Sequence, residues 1–236
     1  MKVLLTITFL FTAVEGWASV GFVNSASSGV ASQTSAMATY SPTEGNTVII
    51  YLSHNATTTG DSCKDNLSNT LTAGPKSSNT TNKISSFYYT VPSGVTSFTC
   101  TWTTARFAYL DVLEYSGVNS VNATLTGNTG SGSAPTYTMT VTTLVNNSWL
   151  AIGFGDAAAT SWTSPTGNLR LSENSGTPAG ARQADMDNTS AIAGAVTCAI
   201  TGTGATAWNS VALELDPPAP AGGGGFNKTL RLNRYE

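Results

Sequence analysis

Apolar and polar side chains alternate in short runs along most of the chain. The segment Tyr137–Leu144, for example, begins with tyrosine, methionine and valine at every second position and threonines between them. A two-residue period places successive side chains on opposite faces and is typical of a β-strand. Glycine, proline, asparagine and serine clusters separate the runs, and no ten-residue segment shows convincing helical periodicity. The pattern predicts strands at Ser19–Val23, Ala36–Tyr40, Thr47–Ser53, Asn69–Thr72, Ser85–Val91, Ser97–Thr103, Phe107–Tyr115, Tyr137–Leu144, Trp149–Phe154, Asn168–Ser172, Ala195–Thr201 and Trp208–Leu215.

Many short strands with closely spaced turn signals indicate an all-β protein. This rhythm is typical of an antiparallel β-sandwich or a jelly roll. Such a domain often contains roughly 200–250 residues, and this chain has 236 residues, of which 40% are hydrophobic. We therefore predict one antiparallel, jelly-roll-like β-sandwich domain over residues 19–216.

A weak internal repeat divides the predicted domain. The segment that begins at Asn46 resembles the one that begins at Asn147, and a Thr-Cys strand follows each about fifty residues later. A further strand then ends in Leu-Glu, at Glu114 and at Glu214. We predict two quasi-equivalent halves that share one core, with structural roles for the two glutamates. The alternative is chance similarity between two hairpins rich in threonine and valine.

The two ends of the chain differ from this domain. Residues 1–18 have one lysine, an apolar stretch and small residues before Ser19, which predicts a signal peptide; a retained strand is the alternative. Residues 217–225 are rich in proline and glycine and predict a linker. Residues 226–236 alternate again, which suits either an extended strand or a disordered tail.

Composition narrows the classes of partner. Charged residues make up only 10% of the chain, the formal net charge is −3 and the isoelectric point is near 5.1. The basic residues are scattered, which argues against a nucleic-acid partner. No apolar segment of about 20 residues follows the N-terminus, so we expect no membrane span in the mature chain. With the signal peptide, this composition favours an extracellular or cell-surface location.

Three cysteines, Cys63, Cys100 and Cys198, lie in strand-like segments. An export route would allow one disulfide and leave one free thiol. We favour a bridge between Cys63 and Cys100 because these two are nearest in sequence. The alternative is that all three are small hydrophobic core residues.

Three short segments resemble a known, largely uncharacterised module. Asp65–Thr70 resembles its D-x-x-G-N-T turn, Glu114–Val118 its E-Y-S-G strand end, and Trp208–Leu215 its closing strand before a proline-rich linker. One departure is Ser68, which stands where the module usually has glycine. The module occurs in bacterial, environmental and phage-associated surface proteins. Over residues 19–216 the resemblance implies a jelly-roll-like sandwich on a secreted or virion-surface protein, without catalytic residues.

The ionisable residues show no catalytic arrangement. His54 is the only histidine and no G-x-S-x-G segment is present, so we expect a surface-loop histidine rather than a member of a Ser-His-Asp triad. Asp111 and Glu114 are three apart in a strand and point to opposite faces. Glu214 and Asp216 share a face but lie at the end of the domain. Neither pair suits the two converging carboxylates of a glycosidase, and we predict that the protein is not an enzyme.

Two acidic pairs are the candidates for a metal site. Asp185 and Asp187 flank Met186 and share a face if the segment is extended, and Asp61 and Asp65 bracket Cys63. Either pair could contribute oxygen ligands to Ca²⁺. A solvated acidic loop is the alternative. We otherwise predict no cofactor.

The remaining candidate for ligand contact is Trp162. Its neighbours are threonine, serine and proline, which predicts an exposed loop tryptophan that could stack on a sugar. The alternative is a tryptophan that caps the end of the core. The chain also contains seven possible glycosylation sequons, at Asn55, Asn66, Asn79, Asn122, Asn146, Asn188 and Asn227.

These observations favour a non-catalytic extracellular or virion-surface module for adhesion, with a glycan or another surface polymer as its partner. The alternative is a structural subunit of a filament or surface assembly, which would bind copies of itself by adding a terminal β-strand. A concanavalin-like polysaccharide hydrolase is disfavoured by the positions of the carboxylates.

Overall fold

A computed structural model describes residues 19–55, 59–133, 135–156, 158, 161–163, 165–173, 182–204 and 207–219. These residues form antiparallel β-sheets, as the alternation predicted. None of the described segments is an apolar helix that could cross a membrane. The predicted signal peptide, the tail 226–236 and most of the linker lie outside the described residues. The strands are β1 (Gly21–Thr39), β2 (Thr47–Asn55), β3 (Ser62–Asp65), β4 (Thr72–Ser78), β5 (Asn82–Thr90), β6 (Ser97–Ser116), β7 (Ser120–Asn122), β8 (Thr129–Ser133), β9 (Thr136–Thr142), β10 (Ser148–Asp156), β11 (Ser161–Thr163), β12 (Asn168–Glu173), β13 (Arg182–Ser190), β14 (Ala195–Thr203) and β15 (Ala207–Asp216).

The chain divides into a first half, with strands β1–β6, and a second half, with strands β7–β15. The large sheet of the first half has the order β4-β5-β2-β6-β1, and that of the second half has the order β12-β13-β10-β15-β7, with β8 also paired to β15. The smaller layer of the second half is β11-β14-β9. The corresponding layer of the first half is formed by β3 and the end of β1, which pair with the two sides of the β6 segment around Cys100. The two halves are therefore quasi-equivalent, as the weak repeat predicted.

Strand β6 differs from the prediction, which split it into Ser97–Thr103 and Phe107–Tyr115. The hydrophobic pattern breaks between these segments, but the ladder with β1 continues through the pair Gln33 and Arg106. Register shifts on both sides of Gln33 accommodate the change of side-chain pattern without ending the strand. Backbone pairing, which side-chain patterning does not report, determines the length of this strand.

Other strand predictions are also wrong or incomplete. The predicted strands Ser19–Val23 and Ala36–Tyr40 lie mainly within one strand, β1. Within Asn69–Thr72, only an isolated pairing of Thr70 with Lys64 precedes the start of β4 at Thr72. The short strands β3, β7, β8 and β11 were not predicted. Strand β13, with the sequence RQADMDNTS, was not predicted at all. It is polar because one of its faces packs against polar groups of the first half, so it lacks an apolar alternation.

Buried apolar side chains form three clusters, where the sequence predicted one shared core. The first lies inside the first half and includes Ile50, Leu52 and Val112. The second lies inside the second half and includes Ile152 and Phe154. A third, which we call the junction, lies between the large sheets of the two halves and is formed by Val20, Ile49, Tyr51, Ile84, Leu113, Tyr115, Ala151, Val211, Leu213 and Leu215. The central strands β2 and β10 each contribute to the cluster inside their own half and to the junction, so the buried apolar side chains form three clusters and not one continuous core.

The disulfide joins Cys63 of β3 to Cys100 of β6, as favoured from the sequence. The two residues face each other directly across the antiparallel pair. Cys198 occupies the corresponding strand of the second half and is a buried free thiol. Burial raises the pKa of this thiol to about 11, although a weak hydrogen bond from Asn188 acts in the opposite direction.

Glu114 and Glu214 have the matching structural roles that the repeat predicted. Glu114 accepts hydrogen bonds from the Tyr40 hydroxyl, the Thr43 amide and the Asn46 side chain, all just before β2. Glu214 accepts bonds of 2.8–3.0 Å from the Leu144 and Val145 amides and the Ser148 hydroxyl, around the start of β10. Each glutamate thus anchors the loop that leads into the central strand of the large sheet in its half.

Replacing either anchor with glutamine is expected to destabilise the protein. Glu114→Gln and Glu214→Gln each replace an acceptor oxygen with an amide that cannot satisfy the same donors, at a cost of about 2 kcal/mol in the free energy of unfolding. Urea denaturation measures this loss, with the exposed Glu44→Gln as a control that should change stability by less than about 0.5 kcal/mol. A loss in only one of the two variants would contradict their equivalence.

Candidate functional site

An open cleft of about 610 Å³ lies at the edge of the first half, where β4 meets β5. Its size is typical of a small-molecule or oligosaccharide site. Most of the residues that line it are polar. The lining residues are Thr59, Gly60 and Asp61 before β3, Ala73, Gly74, Lys76 and Ser78 on β4, and Lys83, Ser85, Ser86 and Phe87 on β5.

The local sequence of β4 explains why the cleft forms at this edge. The register between β4 and β5 shifts between Ala73 and Lys76, across Gly74 and Pro75. Proline cannot donate to a ladder and is tolerated on edge strands and at bulges. The Pro75 carbonyl instead accepts a 2.8 Å bond from the Ser86 hydroxyl. A side chain at Gly74 would lie only 2.6 Å from that same hydroxyl, so the close approach requires glycine.

Asp61 is the centre of the polar network in the cleft. Its Oδ1 atom lies 3.3 Å from His54 Nε2. Its Oδ2 atom accepts bonds from Lys83 Nζ at 2.7 Å and from the Ser85 hydroxyl at 2.6 Å. The Asp61 side chain is only 5% exposed. The network holds the carboxylate and the ammonium in fixed positions at the floor of the cleft.

The same contacts control the charge of Asp61. Burial acts to raise its pKa, but the hydrogen bonds from His54, Lys83 and Ser85 outweigh burial and lower the pKa well below its ordinary value. The carboxylate is therefore ionised throughout the physiological range and acts only as an acceptor. Lys76, at the rim of the cleft, is exposed.

His54 is not in a surface loop, and that prediction is wrong. It lies on β2, opposite Lys83 and Ala108 on the neighbouring strands, with no exposed surface. Its ring centroid is 5.6 Å from that of Trp102. The predicted strand ended at Ser53, but pairing with both neighbours continues β2 beyond this residue.

Trp162 is not exposed, and the predicted basis for ligand contact is therefore wrong. Strand β11 adds to the edge of β14 and turns Trp162 towards the core of the second half, where the residue is 6% exposed. Its ring packs edge-on against Tyr137 at 5.1 Å. The polar neighbours that suggested a loop, Ser161 and Thr163, lie on the other face of this short strand. The alternative interpretation, a tryptophan that caps the core, describes its position.

Asp185 and Asp187 are also not in an acidic loop. They lie on β13, between β12 and β10 in the large sheet of the second half, where neither side chain has exposed surface. Asp187 accepts two hydrogen bonds from the Arg170 guanidinium, and Asp185 accepts two from the Gln183 side-chain amide. No cluster of three potential metal ligands occurs among the described residues, so the structure offers no support for a Ca²⁺ site at this pair.

Asp65, the other aspartate of the second acidic pair, organises the turn that resembles the surface module. Its carboxylate accepts from the amides of Leu67 and Asn69 at 2.9 and 2.8 Å and from the Asn69 side chain at 2.8 Å. The Tyr89 hydroxyl also donates to it, at 3.1 Å. Ser68 adopts the left-handed conformation, with φ of 69°. Glycine adopts this conformation more readily than serine, so the turn accepts a backbone that is uncommon for a residue with a side chain.

The sequons differ in accessibility. Asn66 and Asn146 are exposed, whereas Asn79, Asn122 and Asn188 are half-buried. The side-chain oxygen of Asn79 also accepts bonds from the Thr81 and Asn82 amides. The structure does not describe the side chain of Asn55, and Asn227 lies outside the described residues. Asn66 and Asn146 are therefore the sequons whose exposure suits modification.

Sequence reasoning missed the cleft because its charged residues are distant along the chain. Lys83 and Asp61 are 22 positions apart in the sequence, and β3 and β4 separate them. The one available signal was Gly-Pro inside an otherwise strand-like segment, which marks an edge or a bulge. Comparison of the chain with protein-family models, curated proteins and solved structures found no match.

Proposed function

We propose that this chain is a non-catalytic, extracellular or virion-surface module that binds a glycan or a related surface polymer. The observation that carries this proposal is the cleft between β4 and β5, with its rigid Asp61–Lys83 network. The resemblance of the 65–70 turn and of the strand end at Glu114 to a surface module points in the same direction. A jelly-roll connectivity is part of the same proposal.

The chemistry of the cleft suits sugar hydroxyl groups. A hydroxyl can donate to the fixed Asp61 carboxylate and accept from Lys76 or Lys83, and Thr59 and Ser78 add further hydroxyl groups. Because hydrogen bonds to charged groups are roughly twice as strong as neutral ones, a few such contacts can orient a saccharide.

The network favours binding over catalysis. Hydrolysis by a serine nucleophile requires the serine to donate to a histidine base, whereas the Ser85 hydroxyl donates to Asp61. Retaining and inverting glycosidases require two carboxyl groups on opposite sides of the scissile bond. The lining of the cleft contains one carboxylate, Asp61, among the described residues.

An extracellular location is consistent with the cysteine chemistry. Disulfides persist in oxidising compartments, and Cys63 and Cys100 are bridged. The low content of charged residues, 10%, also suits the proposed setting. The alternative function, self-assembly by a terminal strand, rests on residues 226–236, which lie outside the described part of the chain.

Binding is expected to depend on the cleft. On an array of neutral and acidic oligosaccharides the wild-type protein should bind at least one glycan, and calorimetry should show an affinity about 10- to 100-fold weaker for Lys76→Ala, because a hydrogen bond to a charged group is lost. Ser78→Trp should fill the cleft and abolish binding. Lys76 and Ser78 are exposed, so both variants should fold normally.

Lys64→Ala is the matched control, because Lys64 is an exposed lysine on β3 that does not line the cleft. It should bind as tightly as the wild type. Unchanged affinity in both Lys76→Ala and Ser78→Trp would show that the cleft is not the site. Failure of the wild-type protein to bind any glycan or cell-surface polymer would refute the proposed function itself.

A further inference from the structure

A pair of carboxyl groups is buried where the two halves meet. Asp111 lies on β6 of the first half and Asp185 on β13 of the second, and neither has exposed surface. The two side chains are within hydrogen-bonding contact of each other. Tyr51 lies beside Asp111 on the neighbouring strand, and its backbone carbonyl accepts a 3.4 Å bond from Gln183. The pair therefore spans the junction.

The donors around the pair are insufficient for two carboxylates. Gln183 donates to both oxygens of Asp185, at 3.2 and 3.1 Å. Neither oxygen of Asp111 has an N–H or O–H donor with good hydrogen-bond geometry among the described residues. The Ser27 hydroxyl lies close enough to Asp111 to act against the rise of its pKa, but its hydrogen bond of 2.7 Å goes to Glu173. A buried acceptor without a donor is costly, and a second carboxylate in contact makes the cost larger.

The other ionisable groups packed around the pair do not neutralise it. They are Tyr51 on β2, Tyr115 on β6, Glu173 and Arg170 on β12, and Asp187 on β13. Arg170 is the one cation of this set, and it is already paired with Asp187 at 2.6 Å. Glu173 adds negative charge next to Asp111 and Asp185.

We propose that Asp111 and Asp185 form a proton-binding site at the junction, in which one proton bridges the two carboxyl groups and joins the two halves of the fold. The protonated Asp111 donates its O–H to the Asp185 carboxylate. This single bond supplies the donor that Asp111 lacks and removes one of two adjacent negative charges. When the proton leaves to solvent, the two carboxylates repel each other and the junction weakens.

The directions of the pKa shifts agree with this geometry. Burial raises the pKa of Asp111 well above its ordinary value, and the charge of Asp185 raises it further. Burial also raises the pKa of Asp185, to about 7, although bonds with Asp111 and Gln183 act in the opposite direction. In the unfolded chain both residues lose their protons near pH 4.

The sign of the pH dependence follows from this difference. The folded protein retains protons that the unfolded chain has lost above about pH 4, so stability is full below that pH and falls as the pH rises towards and through 7. For each proton that only the folded protein holds, the unfolding equilibrium constant increases about tenfold when the pH rises by one unit. The pair therefore stabilises the junction in mildly acidic conditions.

The test compares wild type with Asp111→Asn by urea denaturation between pH 5 and pH 7. The asparagine amide donates permanently to Asp185, so the variant needs no proton. The unfolding constant of the wild type, relative to that of the variant, should rise about 100-fold over this range, which is one proton across two pH units. Glu44→Gln, an exposed control, should follow the wild type. Parallel pH profiles for wild type and Asp111→Asn would overturn the proposal.

A second measurement uses the unaltered protein and is independent of how the variants fold. The aspartate ¹³Cγ resonances report protonation directly, and two of them are expected to titrate together with midpoints above pH 6. If every aspartate titrates below about pH 5, the proposal is wrong. Stabilisation of the wild type, but not of Asp111→Asn, by millimolar Ca²⁺ at pH 8 would identify a cation site and would also overturn it. These results do not depend on glycan binding, so they separate this proposal from the proposed function.

Discussion

Removal of the disulfide by the double substitution Cys63→Ala and Cys100→Ala is expected to lower the free energy of unfolding by about 4 kcal/mol. The bridge closes a segment with a sequence separation of 37 residues. In the chain-entropy account, a loop of this length restricts the unfolded state by about 4 kcal/mol. Alanine is chosen because both cysteines are fully buried, and a serine hydroxyl there would lack partners.

The measurement is urea denaturation of the double variant and of the wild type, with and without a reducing agent. Reduction of the wild type should reproduce most of the loss seen in the variant. Cys198→Ala is the control for burial of a small side chain in the second half, and reduction should not change its stability beyond the wild-type effect. A loss below about 1 kcal/mol in the double variant would contradict the prediction.

The second large effect is expected at the ion pair between Arg170 and Asp187 of the second half, which the first half contacts. Arg170 binds Asp187 through two contacts, of 2.6 and 3.0 Å, and its guanidinium carbon lies 4.1 Å from the centre of the Phe22 ring. The Tyr115 hydroxyl lies 3.4 Å from the same carboxylate. Phe22 and Tyr115 belong to the first half, whereas Arg170 and Asp187 belong to the second. The pair thus connects the halves.

Arg170→Met is expected to cost about 3–5 kcal/mol in the free energy of unfolding. The substitution leaves the fully buried Asp187 side chain without its cation, and removal of one partner of a buried ion pair is strongly destabilising. The double variant Arg170→Met with Asp187→Leu removes both charges. It should recover most of the loss, since apolar replacement of a whole buried pair is often nearly neutral.

Urea denaturation of the two single variants and the double variant gives the coupling energy directly. A coupling below about 1 kcal/mol would show that the pair contributes little to the junction. A second transition in Arg170→Met would show that the halves unfold separately once the pair is broken. An equal loss in the single and double variants would mean that Arg170 acts through packing on Phe22.

Local patterning was sufficient to predict several features. Alternation identified β9 because one of its faces is buried and the other is exposed, whereas β10 and β15 were identified as continuous apolar runs that are buried on both faces. The matching positions of Glu114 and Glu214 predicted their shared role, since the same loop must be anchored in each half. The preferred cysteine pairing also agrees with the structure. Each of these features depends on residues that are close in sequence or repeated in it.

The misplaced residues share one physical cause. His54, Trp162 and Asp185 all stand in polar sequence, and each is buried. Polar sequence predicts exposure only when no other element covers the strand. In this protein β11 turns Trp162 inward, and the first half covers the face of β13 that carries Asp185.

The sequence by itself therefore determined the all-β class, the repeat and the positions of most strands, because these depend on the two-residue period of a single chain segment. Only the tertiary structure decided that a third apolar cluster joins the clusters of the two halves, that a cleft forms beside Asp61, and that Asp111 meets Asp185. The physical reason is that burial and pairing of charged groups depend on which sheet faces pack together. That packing joins residues from distant segments, and a local pattern carries no record of it.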